Sequence, residues 1–312
     1  MMDLVFCGTP RFAVPTLEKL VAAGFRVKLV VTQPDRPSGR GMQPAASPVK
    51  QSALALDLPV IQPDKIRNNS EFRQQLEQIA PQAIIVVGYG RIIPQWMIDL
   101  PQLGNLNLHA SLLPKYRGAA PIQWAIAMGE TITGVTTMRI DAGLDTGDIL
   151  MQCEERIKPE DTAVTLAPRL AQAGAELMIA TLAALQAGTI TPIPQDNAKA
   201  TLAPILKRED GLIDFSRTAT DAWNRLRGFQ PWPGAFTSFR GKLLHVHDAT
   251  RAPDAPAVVP AHFKVEPHRL LLGFAHDTAL EIMELQLEGK KRMSAQDFVN
   301  GYRPRSDEAL GE

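Results

Sequence analysis

At 312 residues the chain is long enough for two cores, since a single core rarely grows past about 250 to 300 residues. A hydrophobic share of 45% with 21% charged residues is ordinary for a soluble globular protein. The 33 basic residues are balanced by 33 acidic ones, so net charge argues neither for nor against nucleic acid, and any such contact must be sought in a local patch.

Two cysteines, Cys7 and Cys153, are too few for a disulfide framework, and Cys7 sits in an apolar strand-like run, so a cytoplasmic location is expected. Met1-Met2-Asp3 leads straight into LVFC without a charged leader, and no apolar run reaches about 18 residues. Neither an export signal nor a membrane span is expected.

Residues 4–7 predict a strand, Gly8-Thr9-Pro10 a turn, and Leu17, Leu20 and Val21 the apolar face of a helix stopped by Gly24. Residues 26–32 predict a second strand. This opening suggests a doubly wound parallel sheet, but FCGTP lacks the three glycines of a dinucleotide fingerprint, so no bound NAD is expected. Residues 33–50 carry four prolines and two glycines and predict a long exposed loop in which Arg36, Arg40 and Lys50 outnumber Asp35.

A helix over 70–79 leads to a strand over 83–87 and then Gly88-Tyr89-Gly90, whose small residues let a ligand approach the backbone. In the next strand, NLNLH at 105–109, alternation puts Asn107 and His109 on one face and Leu106 and Leu108 on the other. The loop after it runs into a helix that Pro121 starts. Residues 133–140 and 148–153 predict a hairpin-like return, and 165–187 an amphipathic helix stopped by Gly188, with Pro168 either in its first turn or kinking it. Three prolines and little periodicity mark 189–208 as a linker. The catalytic domain is thus expected at 1–188 and a second domain at 209–312. That second domain reads as a short helix over 221–227 followed by about five strands, a small closed or partly open barrel. Its 13 Lys and Arg against 15 Asp and Glu make it not basic overall.

Asn107, His109 and Asp145 form the candidate triad. An amide and an imidazolium can both donate to a forming oxyanion, and a carboxylate beside the imidazole favours its charged form and fixes its orientation. That set suits acyl transfer to an amine. No GxSxG elbow is present, which disfavours an acyl-serine route. No metal is expected: Asp141, Asp145 and Asp148 lack calcium-loop spacing, and His245 with His247 has no obvious third ligand. Trp223, Phe229 and Trp232 are expected in the core of the second domain, and Lys290-Lys291-Arg292 in a solvated turn.

HASLLPKYRGAAPIQ at 109–123 and GVTTMRIDAGLDTGDIL at 134–150 closely resemble the folate-dependent formyltransferases, with Asn107, His109 and Asp145 in that family's catalytic positions. The resemblance extends through TQPDRPSGRG, LAPILKREDGLIDF, RGFQPWPGAF and GKKRMSAQDF to the branch that formylates methionyl initiator tRNA. It implies a Rossmann-like formyltransferase domain and a C-terminal OB-like β-barrel that helps hold tRNA. It also implies 10-formyltetrahydrofolate as donor and the α-amine of initiator methionyl-tRNA as acceptor.

By the same resemblance, Asn107 and His109 would stabilise the oxyanion, and Asp145 would position His109 and a proton-relaying water. Ser111, Leu112, Leu113 and Pro114 would face the folate, with Arg91, Ile92 and Ile93 near the pterin. Arg36, Arg40 and Lys207 are the expected tRNA contacts, and a monomer is expected. Family members often carry lysines after the Gly-Arg-Gly of this loop, whereas here Met42-Gln43-Pro44 follow. A sugar-nucleotide formyltransferase shares the catalytic loop, and the arginine-bearing loop with GKKRMSAQDF favours tRNA. A nicotinamide oxidoreductase is disfavoured by Gly8-Thr9-Pro10, and a non-catalytic tRNA-binding protein by the presence of all three polar positions.

Overall fold

The apolar run that opens the chain forms strand β1 (Asp3–Gly8), whose Leu4, Val5, Phe6 and Cys7 are fully buried, as a strand covered on both faces requires. The computed structural model describes residues 2–38 and 43–311. Helix α1 (Val14–Ala22) buries Leu17 and Leu20 and gives way to Gly24 at φ +84, a left-handed position that glycine adopts without a Cβ penalty. Strand β2 (Arg26–Val31) follows.

The described residues of the stretch at 33–50 carry regular structure that its prolines do not suggest. Strands β3 (Arg36–Ser38) and β4 (Gln43–Ala45) pair antiparallel, and helix α2 (Pro48–Ala55) begins inside the stretch. Pro48 occupies the first turn, where its missing N–H costs nothing, and the Ser47 hydroxyl accepts from Lys50 N at 3.1 Å as an N-cap. Strand β5 (Val60–Ile61), helix α3 (Ser70–Ile79), strand β6 (Ala83–Val87), helix α4 (Gln95–Ile98) and strand β7 (Asn105–His109) come next. Helix α5 (Pro121–Ala127) precedes the hairpin of β8 (Ile132–Arg139) and β9 (Ile149–Arg156), and helix α6 (Ala163–Ala187) follows.

The sheet order is β5-β2-β1-β6-β7-β8-β9. Pairing is parallel from β5 to β7 and antiparallel at β7–β8 and β8–β9, so a Rossmann-like sheet carries an antiparallel edge. The chain winds outward from β1 to β2 and then returns to β6 on the other side of β1. In open α/β sheets, ligands bind at the carboxyl ends of the strands beside such a reversal.

Helix α6 covers β7 from the face opposite Asn107 and His109. A Cβ on its Gly174 would come within 2.6 Å of Leu108 Cδ2, so glycine there lets the helix backbone lie close on the strand. Among the described helices α6 alone is long and apolar enough to cross a membrane by length and composition. Its buried Leu170, Ala175, Met178 and Leu182 and its Thr181–Thr137 hydrogen bond at 2.7 Å give it the character of a core helix. Pro168 lies in its second turn, not its first, so the Val164 carbonyl loses its helical donor while the helix continues.

By spatial proximity the chain divides into two units. The first comprises Met1–Pro121, Ile132–Arg156 and Ala167–Pro204; the second, Ile122–Thr131, Ile157–Leu166 and Ile205–Glu312. The second unit contains helix α7 (Ala219–Gly228), strands β10 (Ala235–Phe239), β11 (Lys242–Arg251), β12 (Phe263–Glu266), β13 (Arg269–Phe274), β14 (Thr278–Leu287) and β15 (Met293–Ser294), and helix α8 (Ala295–Tyr302). Its antiparallel order is β10-β11-β14-β13-β12 with β15 on β14, and the ladder does not close among the described residues. Phe239, Phe263, Phe274 and Phe298 fill its core. Phe229 is buried as expected and Trp223 packs partly against that core, but Trp232 is 55% exposed and is not a core residue. Gln230–Pro231 and Trp232–Pro233 flank it in a turn outside the sheet.

Candidate active site

Strand β7 ends where the antiparallel edge of the sheet begins, and its register sets Asn107 beside Met138 and His109 beside Thr136 of β8. The pleat turns Leu106 and Leu108 into the core and brings Asn107 and His109 to the opposite face. Asn107 is half-buried, and its amide makes no hydrogen bond to the described residues. His109 is buried, and its Nε2 donates to the Tyr116 carbonyl at 2.8 Å. A carbonyl only accepts, so Nε2 carries a proton and Nδ1 lies on the other side of the ring.

That Nδ1 lies 3.6 Å from Asp145 Oδ2. The same carboxylate oxygen accepts the Gly118 N–H at 2.8 Å. Asp145 occupies a left-handed backbone conformation at φ +51, which costs an L-residue energy unless its surroundings hold it. They do so from two sides. Asp141 Oδ1 accepts from Gly143 N at 3.0 Å and Thr146 Oγ1 at 2.7 Å, and Gln195 Nε2 donates to the carbonyls of Asp145 at 2.9 Å and Gly147 at 2.7 Å. Gly118, at φ +119, allows a similarly close approach: a Cβ there would sit 2.7 Å from the Ala203 carbonyl.

Residues 111–114 are pinned to the β8–β9 hairpin. Thr136 Oγ1 donates to Ser111 O at 2.7 Å and accepts from Leu113 N at 3.1 Å, while Gln152 Nε2 donates to Leu113 O at 2.9 Å. The Ser111 hydroxyl donates to Lys115 O at 2.6 Å, and the Leu113 side chain is buried with Met138 and Ile149. Those two side chains are committed internally. Leu112 and Pro114, half-buried, remain partly open to a ligand. Beyond β6, Ile92 is 92% exposed, a large apolar side chain left in water, whereas Ile93 is turned into the core beside Met97. The Nε of half-buried Arg91 is shielded from solvent and has no hydrogen-bond partner among the described residues.

Two of the three expected tRNA contacts lie among the described residues. Arg36 is exposed in the first unit, donating from Nη2 to Gln33 Oε1 at 2.9 Å, and Lys207 is exposed in the second. Arg40 lies outside the described residues. His245 and His247 stack with ring centroids 6.0 Å apart, but both nitrogens of His247 are engaged, by Gln286 at 3.0 Å and Arg292 at 2.9 Å. No group of three potential metal ligands occurs among the described residues. A cavity of about 800 Å³ in the second unit is lined by Trp223, Arg227, Gln230 and Arg251. None of the candidate triad lines it.

Thr136, Gln152, Arg117, Gln195 and the Tyr116 carbonyl were not singled out by the sequence. Thr136 had a usable signal, since an alternating strand placed opposite β7 puts a polar residue beside His109. Gln152, Arg117 and Gln195 act through partners far away in the chain, which no local pattern encodes, and the Tyr116 carbonyl, seven residues from His109, is a backbone group that carries no side-chain signal.

Residues 2–182 match the sequence profile described as "Formyl transferase", and residues 205–303 match "Formyl transferase, C-terminal domain". The chain is 68% identical over 310 residues to a protein of Koribacter versatilis named methionyl-tRNA formyltransferase, covering 99% of each chain. It is 64% identical over 310 residues to one of the same name from Acidobacterium capsulatum, covering 99% of this chain and 100% of that one. Among solved structures it resembles an N-formyltransferase from Helicobacter canadensis in complex with folinic acid and dTDP-3-aminofucose. The TM-score is 0.67 at 20% identity, over 90% of this chain and 99% of that one, a likeness of fold.

Proposed function

We propose, from the premise that this chain belongs to the formyl transferase family and within it to the methionyl-tRNA formyltransferases, that the formyl group changes hands at the carboxyl end of β7. The chain is an enzyme that formylates methionyl initiator tRNA for translation initiation. In the proposed reaction the donor is 10-formyltetrahydrofolate and the nucleophile is the methionyl α-amine. Its nitrogen lone pair forms a bond to the formyl carbon, and the carbonyl electrons move to oxygen. The Asn107 amide donates to that oxyanion, and the charge of a protonated His109, whose Nε2–H is held by the Tyr116 carbonyl and whose Nδ1 faces Asp145, stabilises it. The attacking nitrogen releases a proton through a water beside Asp145. Collapse breaks the bond from carbon to N10 of the folate, which takes up a proton, leaving a formamide and tetrahydrofolate.

The observation that carries this reading is a half-buried amide, without a hydrogen bond among the described residues, on the same strand face as a buried imidazole, with a carboxylate 3.6 Å from the imidazole. The pterin is proposed to lie against Arg91, Ile92 and Ile93, and the folate to follow residues 111–114, where Ile92 gains a partner and Arg91 Nε an acceptor. Arg36, Arg40 and Lys207 are proposed to contact tRNA. Residues 1–188 are proposed as the catalytic domain, 189–208 as the linker and 209–312 as the tRNA-binding domain, in a cytoplasmic monomer that uses no metal.

Labelled 10-formyltetrahydrofolate offered initiator methionyl-tRNA, elongator methionyl-tRNA and amino-sugar nucleotides side by side tests the acceptor. Label is expected on initiator tRNA. Preferential labelling of an amino sugar would overturn the reading.

A further inference from the structure

Residues 183–204 fall between the two stretches that match the family profiles, yet part of this segment is bonded along the active-site loop. Ile193 exchanges two backbone hydrogen bonds of 2.8 Å with Ile149 at the start of β9. Thr201 O accepts from Arg117 N at 2.8 Å, Ala203 N donates to Arg117 O at 2.7 Å, and Ala203 O accepts from Ala120 N at 3.1 Å. The segment therefore follows the loop that carries Tyr116, Arg117 and Gly118 like an added strand.

Its side chains reach both groups that hold the imidazole. Thr201 Oγ1 accepts the Tyr116 N–H at 2.9 Å, and Tyr116 O is the acceptor of His109 Nε2–H. Gln195 Nε2 donates to the carbonyls of Asp145 and Gly147, while its Oε1 accepts from Arg117 Nε at 3.0 Å and Nη2 at 2.7 Å. Arg117 is 6% exposed, so Gln195 answers a buried guanidinium with one end and steadies a left-handed Asp145 with the other. A side-chain amide fits this place because it is donor and acceptor at once. A carboxylate could serve only Arg117, and an aliphatic chain neither.

We propose that residues 193–203 are a positioning strap for the formyl-transfer site, with Gln195 setting where Asp145 stands relative to His109 and Thr201 setting Tyr116. The strap touches no reacting atom and acts through His109 and Asp145. Its removal changes turnover more than substrate binding, because a displacement of about 1 Å at a reacting centre can cost on the order of a hundredfold. The proposal rests on Asp145 being catalytic.

The test compares Gln195→Leu, Gln195→Glu, Thr201→Val and Asp145→Asn in formylation of methionyl initiator tRNA, with donor KM, kcat and thermal midpoint measured for each. Gln195→Leu is expected to lower kcat about tenfold to a hundredfold, with donor KM within about twofold of wild type. Gln195→Glu keeps an acceptor for Arg117 but loses the donors to Asp145 and Gly147, so its kcat should fall as far. Full rescue by glutamate would mean that Gln195 serves only as an acceptor for Arg117, and would overturn the proposal. Thr201 is exposed, so Thr201→Val should fold and lose several-fold in kcat at an unchanged melting point. Should Gln195→Leu fail to fold, wild-type kcat in Thr201→Val and Gln195→Glu sinks the strap. An active Asp145→Asn would instead sink the catalytic reading on which it rests.

Discussion

Asp145 Oδ2 stands 3.6 Å from His109 Nδ1 while accepting the Gly118 N–H at 2.8 Å. The far side of the imidazole is fixed as well, through Nε2 and the Tyr116 carbonyl. Neither partner is free to turn, so a proton placed on Nδ1 lies on the side of the ring that faces the carboxylate. Fixed dipoles of this kind stabilise developing charge without reorganising during the reaction.

Ile92 supplies the first prediction. Burying an isoleucine side chain contributes about 1.5–3 kcal/mol, or roughly tenfold to a hundredfold in affinity. Because Ile92 is 92% exposed in the absence of ligand, Ile92→Ser should raise the donor KM about tenfold or more while leaving the melting temperature unchanged. Steady-state kinetics beside a thermal melt would check both. An unaltered donor KM would move the pterin elsewhere.

The acceptor side is tested by salt. Every phosphate that a protein neutralises on duplex nucleic acid adds about 0.9 to the steepness with which log affinity falls against log salt. Arg40→Ala should weaken methionyl-tRNA binding and flatten that slope by about this amount, with folate binding intact. A salt series of tRNA binding for both proteins would show it, and parallel lines would refute the role of Arg40. The presence of Met42-Gln43-Pro44 where lysines are common predicts a shallow slope in the wild type too.

Stability should respond to pH through His245. Burial, then His247 and Arg208, hold its pKa below the ordinary 6.5. Between the two values the unfolded chain binds the proton and the folded one does not, so this contribution is full above about 6.5 and is lost as pH falls towards the folded value. His245→Gln removes that difference. Thermal midpoints measured from pH 7.5 to 5 should fall less steeply in the variant, and equal slopes would contradict this.

Much of this site is written locally. The alternation in NLNLH placed Asn107 and His109 on one face, and Leu108 against Gly174 of α6 is the packing that enforces it. Strand β6 occupies the same residues, 83–87, that its apolar run marks out. Helix α2 was hidden by its prolines, although Ser47-Pro48 is itself a helix-start signal once the cap is considered. Trp232 was misplaced because aromatic residues in a hydrophobic context suggest a core, and nothing nearby shows that the turn at 230–233 leaves the sheet. Gln195 was illegible for a different reason. Its partners Arg117, Asp145 and Gly147 are distant in the chain, so only tertiary structure brings them together.

Single-turnover formyl transfer by His109→Ala, at saturating 10-formyltetrahydrofolate and initiator methionyl-tRNA, tests the central claim most directly. Removing an imidazole that stabilises the oxyanion should slow the chemical step by on the order of a hundredfold or more, as deleting such a donor does elsewhere. Folate binding, read on the same preparation, should stay within about twofold and so report an intact fold. A single-turnover rate near that of wild type, with folate still bound, would contradict the assignment of His109 to the reacting centre.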